Sequence, residues 1–166
     1  MKIAFSGTHG TGKTTSALNK AKELKLKYPT KTVGILSENV INCPLPINKK
    51  ATIESQLWIF GDQLSKEIEM ANKFDILICD RSIFDVVAYT WRIDDKVSLA
   101  MFNIAIKMVD TYNTIFFKRL KNNNYLFNDG LRDTTDKEFR EYIDTQLEYF
   151  FFIIKEMGAK VKIVEV

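Results

Sequence analysis

The sequence predicts an α/β fold in which a five-stranded, mainly parallel sheet carries helices on both faces. Short runs rich in β-branched and aromatic residues alternate with longer stretches of helical periodicity, which is the pattern of β-α-β units. Residues 76–79 form an uninterrupted apolar run, as expected for a central strand covered on both faces. With 166 residues, 46% hydrophobic and 27% charged, the chain fits one domain, residues 1–166.

The first half of the chain predicts three strands and two helices. A strand at residues 2–6 leads to a helix over residues 12–27, which stops before Pro29 because proline cannot continue a helix. A second strand follows at residues 32–37, and the third, residues 76–79, ends on Asp80. The helix between them should end near Phe74, and its predicted buried face consists of Ile53, Leu57, Phe60, Leu64, Ile68 and Ala71.

The second half predicts helices over residues 82–91 and 96–112, then a fourth strand over residues 114–117. Residues 119–133 are basic and rich in Asn, Asp and Gly, which predicts a mobile cationic lid. Thr135 and Glu138 have the spacing of a capping box and predict the start of the last helix. Gly158 should end this helix before a fifth strand at residues 161–166, and its predicted buried face consists of Phe139, Ile143, Leu147, Phe150, Ile154 and Met157.

Composition excludes several classes of protein. The net charge of +3 is small for a dedicated nucleic-acid binder, so a polynucleotide partner is not expected. A single histidine and two distant cysteines give no zinc-ligand spacing, and two isolated thiols fit a reducing compartment. No apolar stretch approaches the roughly 20 residues that cross a bilayer. We therefore expect a cytoplasmic protein with no membrane partner.

A phosphate-binding motif lies between the first strand and the first helix. Residues 7–14 read Gly-Thr-His-Gly-Thr-Gly-Lys-Thr and satisfy G-x-x-x-x-G-K-[ST] in the strand-loop-helix context that this motif requires. Glycines let successive amides converge on phosphate oxygens, while Lys13 neutralises the β and γ phosphates and Thr14 coordinates Mg²⁺. The motif predicts ATP binding with Mg²⁺ through Gly7, His9, Gly10, Thr11, Gly12, Lys13, Thr14 and Thr15.

Asp80 is the second candidate ligand for Mg²⁺. It directly follows the apolar third strand, which is the Walker B position, and a carboxylate there can hold the ion directly or through water. Aspartate is also a favoured N-cap, so Asp80 capping the following helix is the alternative, and both roles can coexist.

Residues 6–15 together with Asp80-Arg81-Ser82 resemble the P-loop nucleoside and nucleotide kinases of the deoxynucleoside kinase and thymidylate kinase group. Within that group the sequence looks nearest to the ribosylnicotinamide-kinase-like ATPases of the AAA type. This resemblance implies a three-layer P-loop NTPase fold and transfer of the γ-phosphate of ATP to a nucleoside or nucleoside monophosphate. It covers most of the chain, through Ser55-Gln56-Leu57-Trp58, Ala88-Tyr89, Asp129-Gly130-Leu131-Arg132 and Phe139-Arg140.

The resemblance also suggests two catalytic residues on the acceptor side. Glu38 resembles the glutamate after the second strand that accepts a sugar hydroxyl proton in deoxynucleoside kinases, which fits general-base catalysis on a hydroxyl acceptor. Its alternatives are a strand cap or a surface pair with Lys49 or Lys50. Arg81 resembles the arginine that holds the acceptor or the transferring phosphate, the alternative being an ion pair on a helix surface.

Further site residues follow from the same resemblance. Arg119 and Arg132 correspond to lid cations that close over the phosphates, and Arg132 is the better candidate for a catalytic role. Gln56, Trp58 and Asp85 would line the acceptor pocket, although amides and aromatics on helices also serve in ordinary packing.

Two departures and one competing function bear on this interpretation. His9 stands where thymidylate kinases carry an acid, and no arginine follows Glu38 closely, so thymidylate kinase proper is disfavoured. The alternative function is a regulatory ATPase or nucleotide-binding switch without a small-molecule acceptor, because one fold hosts many functions. Helix-borne aromatics such as Tyr89, Trp91 and Phe102 leave a homodimer open.

Overall fold

Five parallel strands form one sheet in the order β2-β3-β1-β4-β5. This computed structural model describes residues 1–38, 40–47, 50–120 and 136–166. The predicted α/β fold with a five-stranded parallel sheet is confirmed. The strands are β1 (Lys2–Ser6), β2 (Val33–Leu36), β3 (Ile76–Asp80), β4 (Thr114–Phe117) and β5 (Lys162–Glu165).

Helices cover both faces of this sheet. Helix α1 packs on the face that presents Ile3, Phe5 and Ile78, whereas the other helices pack on the face that presents Ala4, Cys79 and Phe117. In the part of the chain that the structure describes, no helix is long and apolar enough to cross a membrane. The helices are α1 (Lys13–Lys27), α2 (Ile53–Lys73), α3 (Ile83–Trp91), α4 (Asp95–Met108) and α5 (Lys137–Glu156), and short 3₁₀ turns cover Val40–Asn42 and Val109–Thr111.

The register of the sheet places the ends of three strands side by side. Phe5 of β1 pairs with Asp80 of β3, and Ser6 of β1 pairs with Phe117 of β4. The phosphate motif therefore leaves the sheet directly beside Asp80, at the carboxyl edge where ligands bind in parallel α/β sheets.

Helix α2 presents a different face from the predicted one. Leu57 and Ile68 are each 47% exposed and Ala71 is also exposed, whereas Phe60 is buried as predicted. Leu64 is partly buried against the core, also as predicted. The other buried side chains of α2 are polar: Ser55, Gln56, Gln63 and Glu67. This face is buried because its polar groups satisfy partners beneath the helix, which apolar periodicity does not reveal.

Three boundary predictions are also corrected. Helix α4 ends at Met108 and the chain continues through a 3₁₀ turn, so Tyr112 lies outside the helix. The cap of α5 is Asp136, whose carboxylate accepts a hydrogen bond from the Phe139 amide at 3.0 Å, rather than the box predicted one residue earlier. Thr135 itself lies outside the described residues. Met157 caps the other end of the same helix and is 59% exposed, not buried.

A buried polar cluster lies between α2 and the start of β1. Glu67 accepts hydrogen bonds from the Lys2 ammonium at 2.7 Å, the Tyr112 hydroxyl at 2.6 Å and the Gln63 amide at 2.7 Å. The Lys2 ammonium also lies 3.8 Å from the centre of the Tyr112 ring. Burial raises the pKa of Tyr112 well above its usual value, and the Glu67 carboxylate raises it further. The buried charge of Lys2 is therefore compensated by Glu67, whose two carboxylate oxygens both accept hydrogen bonds.

Replacing Glu67 should destabilise the fold strongly. Glu67→Ala leaves the Lys2 ammonium buried without its counter-charge, so we expect a loss of about 3–5 kcal/mol in the free energy of unfolding, measured by urea denaturation. Glu69→Ala is the matched control, because Glu69 on the same helix pairs with Lys73 at the surface. That variant should unfold like the parent protein. Equal stability of both variants would contradict the structural importance of the cluster.

Candidate active site

The phosphate motif forms a tight loop that requires glycine at its first position. Gly7 has φ +150°, and a Cβ there would lie 2.5 Å from the Lys118 carbonyl oxygen and 3.2 Å from Thr11 Oγ1. Gly12 has φ 74° and caps the start of α1. A side chain at position 7 would therefore push the loop away from the end of β4.

Lys13 lies inside the loop. Its ammonium donates to the Thr8 carbonyl at 2.6 Å, and the Thr11 hydroxyl donates to the same oxygen at 2.9 Å. Lys13 is only 5% exposed, whereas Thr14 and Thr15 are exposed on the first turn of α1. The loop thus gathers a buried cation and two threonines at the positive end of a helix, which is an arrangement that binds phosphate.

The hydroxyl of Thr14 and the carboxylate of Asp80 meet at the edge of the sheet. Thr14 donates to Asp80 Oδ2 at 2.6 Å. Asp80 is 4% exposed, and its Oδ1 is buried with no hydrogen-bond partner among the described residues. A hydroxyl next to a carboxylate oxygen that lacks a partner fits the oxygen ligands that Mg²⁺ takes, directly or through water. Helix α3 is capped by Ser82, so Asp80 does not serve as its cap.

Asp85 connects the phosphate loop to the turn between β3 and α3. Its carboxylate accepts from the Ser6 hydroxyl at 2.7 Å, the Gly7 amide at 2.9 Å, and both the amide and the hydroxyl of Ser82 at 2.8 Å. The Arg81 guanidinium lies 3.4 Å away. Asp85 has no exposed surface. The prediction that Asp85 lines the acceptor pocket is therefore corrected, because its oxygens already accept hydrogen bonds from buried donors. Asp85 instead positions the phosphate loop relative to the turn.

Arg81 adopts an uncommon backbone conformation in the same turn. Its φ is 106°, which side-chain-bearing residues rarely adopt. The turn is held because the Arg81 amide donates to the Phe5 carbonyl at 3.1 Å and the Gln63 amide group lies 3.5 Å from the Arg81 carbonyl. Burial lowers the pKa of the Arg81 guanidinium, but Tyr89 and Asp85 raise it, and the result is a pKa above the usual value.

Glu38 meets Arg81 at the end of β2. Arg81 Nε lies 2.9 Å from Glu38 Oε1, and the two side chains are 8% and 24% exposed. The Arg81 terminal nitrogen also lies 3.4 Å from the Gly7 carbonyl. The structure therefore brings the two predicted acceptor-side residues together, within reach of the phosphate loop, and their pair is largely buried rather than on the surface.

His9 and the aromatic residues beside it form the outer wall of the loop. The His9 amide donates to the Tyr89 hydroxyl at 3.2 Å, and its Nδ1 lies 3.1 Å from the same oxygen. The His9 ring is 5.9 Å from the Phe139 ring, and Arg140 Nε donates to the His9 carbonyl at 3.2 Å. Helices α3 and α5 therefore both contact the phosphate loop at His9.

Arg119 occupies a different place from the predicted one. Its guanidinium makes ion pairs with Asp144 at 2.9 Å and Glu148 at 2.6 Å, both on α5, and lies 5.1 Å from the Phe117 ring. Burial lowers the pKa of Arg119, but Glu148 and Asp144 raise it above the usual value. This placement corrects the predicted lid role, because Arg119 fastens the end of β4 to α5.

The remaining predicted site residues differ in their burial. Gln56 is buried on α2 and Trp58 is half-buried on the same helix. Gly10 is half-buried in the middle of the phosphate loop. Arg132 and the predicted lid beyond residue 120 lie outside the described residues.

Three important residues of this site were not assigned these roles from the sequence: Asp85 as a linker, Gln63 beneath the Arg81 turn, and Arg140 against the loop. Ser82 and Asp85 have the three-residue spacing of a capping box, which is the signal that places Asp85 at the start of α3. Gln63 and Glu67 carry a weaker signal, a polar pair four residues apart on a helix. Arg140 belongs to the resemblance through Phe139-Arg140, but its contact with His9 joins residues far apart in sequence, so no local pattern predicts it.

The profile of the AAA domain family AAA_28 matches residues 2–165. The chain belongs to this family. No curated protein matches the sequence. Family membership agrees with the predicted resemblance to ATPases of the AAA type and with a phosphate loop built as described above.

This AAA domain shares its fold with solved kinases. Thymidylate kinase from Ehrlichia chaffeensis superposes with a TM-score of 0.66 at 20% identity, over 99% of this chain and 86% of that one. Deoxyadenosine kinase from M. mycoides with bound dATP gives a TM-score of 0.62 at 19% identity, over 99% and 90% of the two chains. The same kinase with bound dCTP gives a TM-score of 0.65 at 18% identity, again over 99% of this chain and 90% of that one. The predicted resemblance to P-loop nucleoside and nucleotide kinases is thus confirmed for the fold.

Removing the charge of Asp85 should loosen the loop. In Asp85→Asn an amide nitrogen replaces one of two acceptor oxygens that meet buried donors, so we expect the free energy of unfolding to fall by about 1.5–3 kcal/mol. ATP affinity, measured by calorimetric titration, should fall as well because the Gly7 amide loses its anionic partner. Asp62→Asn, which removes a charge paired with Lys66 on α2, is the control and should bind ATP normally. Unchanged ATP binding in Asp85→Asn would refute the positioning role.

Proposed function

We propose that this AAA domain is a Mg²⁺-dependent kinase that transfers the γ-phosphate of ATP to a nucleoside or nucleoside monophosphate. The observation that carries the proposal is the ion pair of Glu38 and Arg81, 2.9 Å apart beside the phosphate loop. A phosphate loop alone serves any ATPase. A carboxylate and a guanidinium held on its acceptor side are the groups that a phosphotransferase needs for a second substrate.

Glu38 supplies the base in this reaction. A hydroxyl oxygen of the acceptor attacks the γ-phosphorus, its proton passes to the Glu38 carboxylate, and the bond between the γ-phosphorus and the β,γ-bridging oxygen breaks to release ADP. Arg81 neutralises charge that develops on the transferring group, since its guanidinium fork matches phosphate oxygens. A monophosphate acceptor is already anionic and needs no base, so Glu38 favours a nucleoside.

The donor side would be held by the loop and the edge of β3. Lys13 and the loop amides bind the β and γ phosphates, and Thr14 with Asp80 holds Mg²⁺. This ion would supply positive charge that offsets the charge of the phosphates. The Asp80 oxygen that lacks a partner in the described part of the chain supports this assignment.

Further parts of the proposal concern the surroundings of the site. Gln56 and Trp58 on α2 would line the acceptor pocket, and Arg132 would close over the phosphates from a lid within residues 119–133. The similarity of fold to thymidylate kinase and deoxyadenosine kinase supports a small nucleoside or nucleotide acceptor. We further propose that residues 1–166 form a single kinase domain that works in the cytoplasm. For its oligomeric state, both a monomer and a homodimer are open.

Phosphate transfer from labelled ATP with Mg²⁺ tests the function. The acceptors are nucleosides, nucleoside monophosphates, nicotinamide riboside and a short oligonucleotide. We expect labelled product with one class of small acceptor and none with the oligonucleotide. Lys13→Ala should abolish transfer because the charge that meets the β and γ phosphates is lost.

The controls separate transfer from simple hydrolysis. Lys20→Ala, which removes a lysine paired with Glu23 on the same helix, should keep full activity. Phosphate release that does not depend on any acceptor would replace the kinase by the regulatory ATPase. Full transfer by Lys13→Ala would refute the role of the phosphate loop.

Glu38→Gln tests the base. This variant keeps the size of the side chain but cannot accept the proton, so we expect kcat with a nucleoside acceptor to fall by about 10²–10⁴-fold while the KM for ATP changes little. With a monophosphate acceptor the loss should be much smaller, because no proton needs a base. An unchanged kcat with nucleosides would rule out Glu38 as the base.

A further inference from the structure

The first turn of α5 lies directly against the phosphate loop. Arg140 Nε donates to the His9 carbonyl at 3.2 Å, and the neighbouring Phe139 ring lies 5.9 Å from the His9 ring. Phe139 also packs against Tyr89 at 5.6 Å, edge to face. A cation from the far end of the chain is therefore fixed to the loop that is built to hold phosphates.

Arg140 is buried at this position, with 4% of its surface exposed. Burial lowers the pKa of its guanidinium below the usual value, and Tyr89 raises it in part. A guanidinium has five N–H donors in a planar fork, and its bond to His9 uses the Nε donor. Because charge attraction is strong where water is excluded, a phosphate beside Arg140 would be bound more firmly than one at the surface.

The contacts show on which side of the loop Arg140 lies. Arg140 bonds to the His9 carbonyl, and the His9 amide bonds to the hydroxyl of Tyr89. The Arg81 guanidinium lies 5.4 Å from the centre of the Tyr89 ring and pairs with Glu38 on the acceptor side. Arg140 thus stands with the acceptor-side groups, where the terminal phosphate of a bound nucleotide must lie if it is to be transferred.

We propose that Arg140 binds the terminal phosphate of ATP as a second cation of the transfer site, supplied by α5. The inference rests on the proposed binding of ATP by the loop, but it does not depend on which acceptor is used or whether transfer occurs. The guanidinium would contact the γ-phosphate from the side of α5, while Lys13 and the loop amides hold the β and γ phosphates from the loop.

The test compares two nucleotides that differ by the phosphate in question. Calorimetric titration with Mg²⁺ measures the affinity for ADP and for the β,γ-methylene analogue of ATP, which cannot be hydrolysed. Arg140→Gln should lower the affinity for the ATP analogue by about 10–100-fold, the range for a lost charge-assisted contact, and should change the affinity for ADP by less than about threefold. Arg140→Lys should recover part of the loss, because it restores the charge without the fork.

The matched control is Arg92→Gln. Arg92 is exposed and stacks on the same Phe139 ring, 4.7 Å from its centre, so this variant removes a cation from the α3–α5 contact without touching the loop. Its affinities for both nucleotides should equal those of the parent protein. Should Arg140→Gln fail to fold by circular dichroism, Arg140→Lys carries the comparison alone, with a smaller selective loss for the ATP analogue.

Two results would overturn the inference. An equal loss of affinity for ADP and for the ATP analogue would show that Arg140 only shapes the loop through His9. Unchanged affinity for both would show that it contacts no phosphate. A failed kinase assay is a separate result, since the two nucleotides can still be distinguished by a protein that only binds ATP.

Discussion

The site depends on one buried carboxylate. Asp85 joins the last residue of β1, the first glycine of the phosphate loop, the cap of α3 and the guanidinium of Arg81. A buried anion is costly unless donors surround it, and here the donors are the parts that the site needs to hold together. The phosphate loop and the turn that carries Arg81 therefore share one electrostatic centre. Hydrogen bonds to Asp85 hold the loop and the turn together.

A second hydrogen-bond network supports the turn that carries Arg81. Glu67 binds Tyr112, whose hydroxyl in turn accepts from the Ile83 amide at 3.1 Å, and Gln63 reaches the Arg81 carbonyl. These contacts offset the cost of an arginine with positive φ, which persists only where neighbours hold it. The apolar faces of α3 and α5 close the core around the turn. Packing provides the rigidity of this region, and the polar networks determine where its charged groups point.

Much of the fold and part of the site could be predicted because their signals are local. Short runs of sequence predict the strands, the phosphate motif and the position of Asp80. In the structure Thr14 is hydrogen-bonded to Asp80, as the motif implies. The buried face of α2 was predicted only in part, at Phe60 and Leu64, because its other buried positions are polar and have polar partners. The roles of Asp85 and Arg140 depend on contacts between residues about 80 and 130 positions apart, which no local pattern encodes. Arg119 was misplaced for the same reason, since its carboxylate partners come from α5.

The pairing of Glu38, Arg81 and Asp85 limits how this protein can diverge. Arg81 pairs with both Glu38 and Asp85, so the loss of its charge removes a cation from two carboxylates at once and requires a compensating change at a second position. Single-step variation is easier at Trp58, which is half-buried and belongs to none of these pairs. Sequence variation in this fold is therefore expected to spare the charged network and to be tolerated more readily at positions such as Trp58.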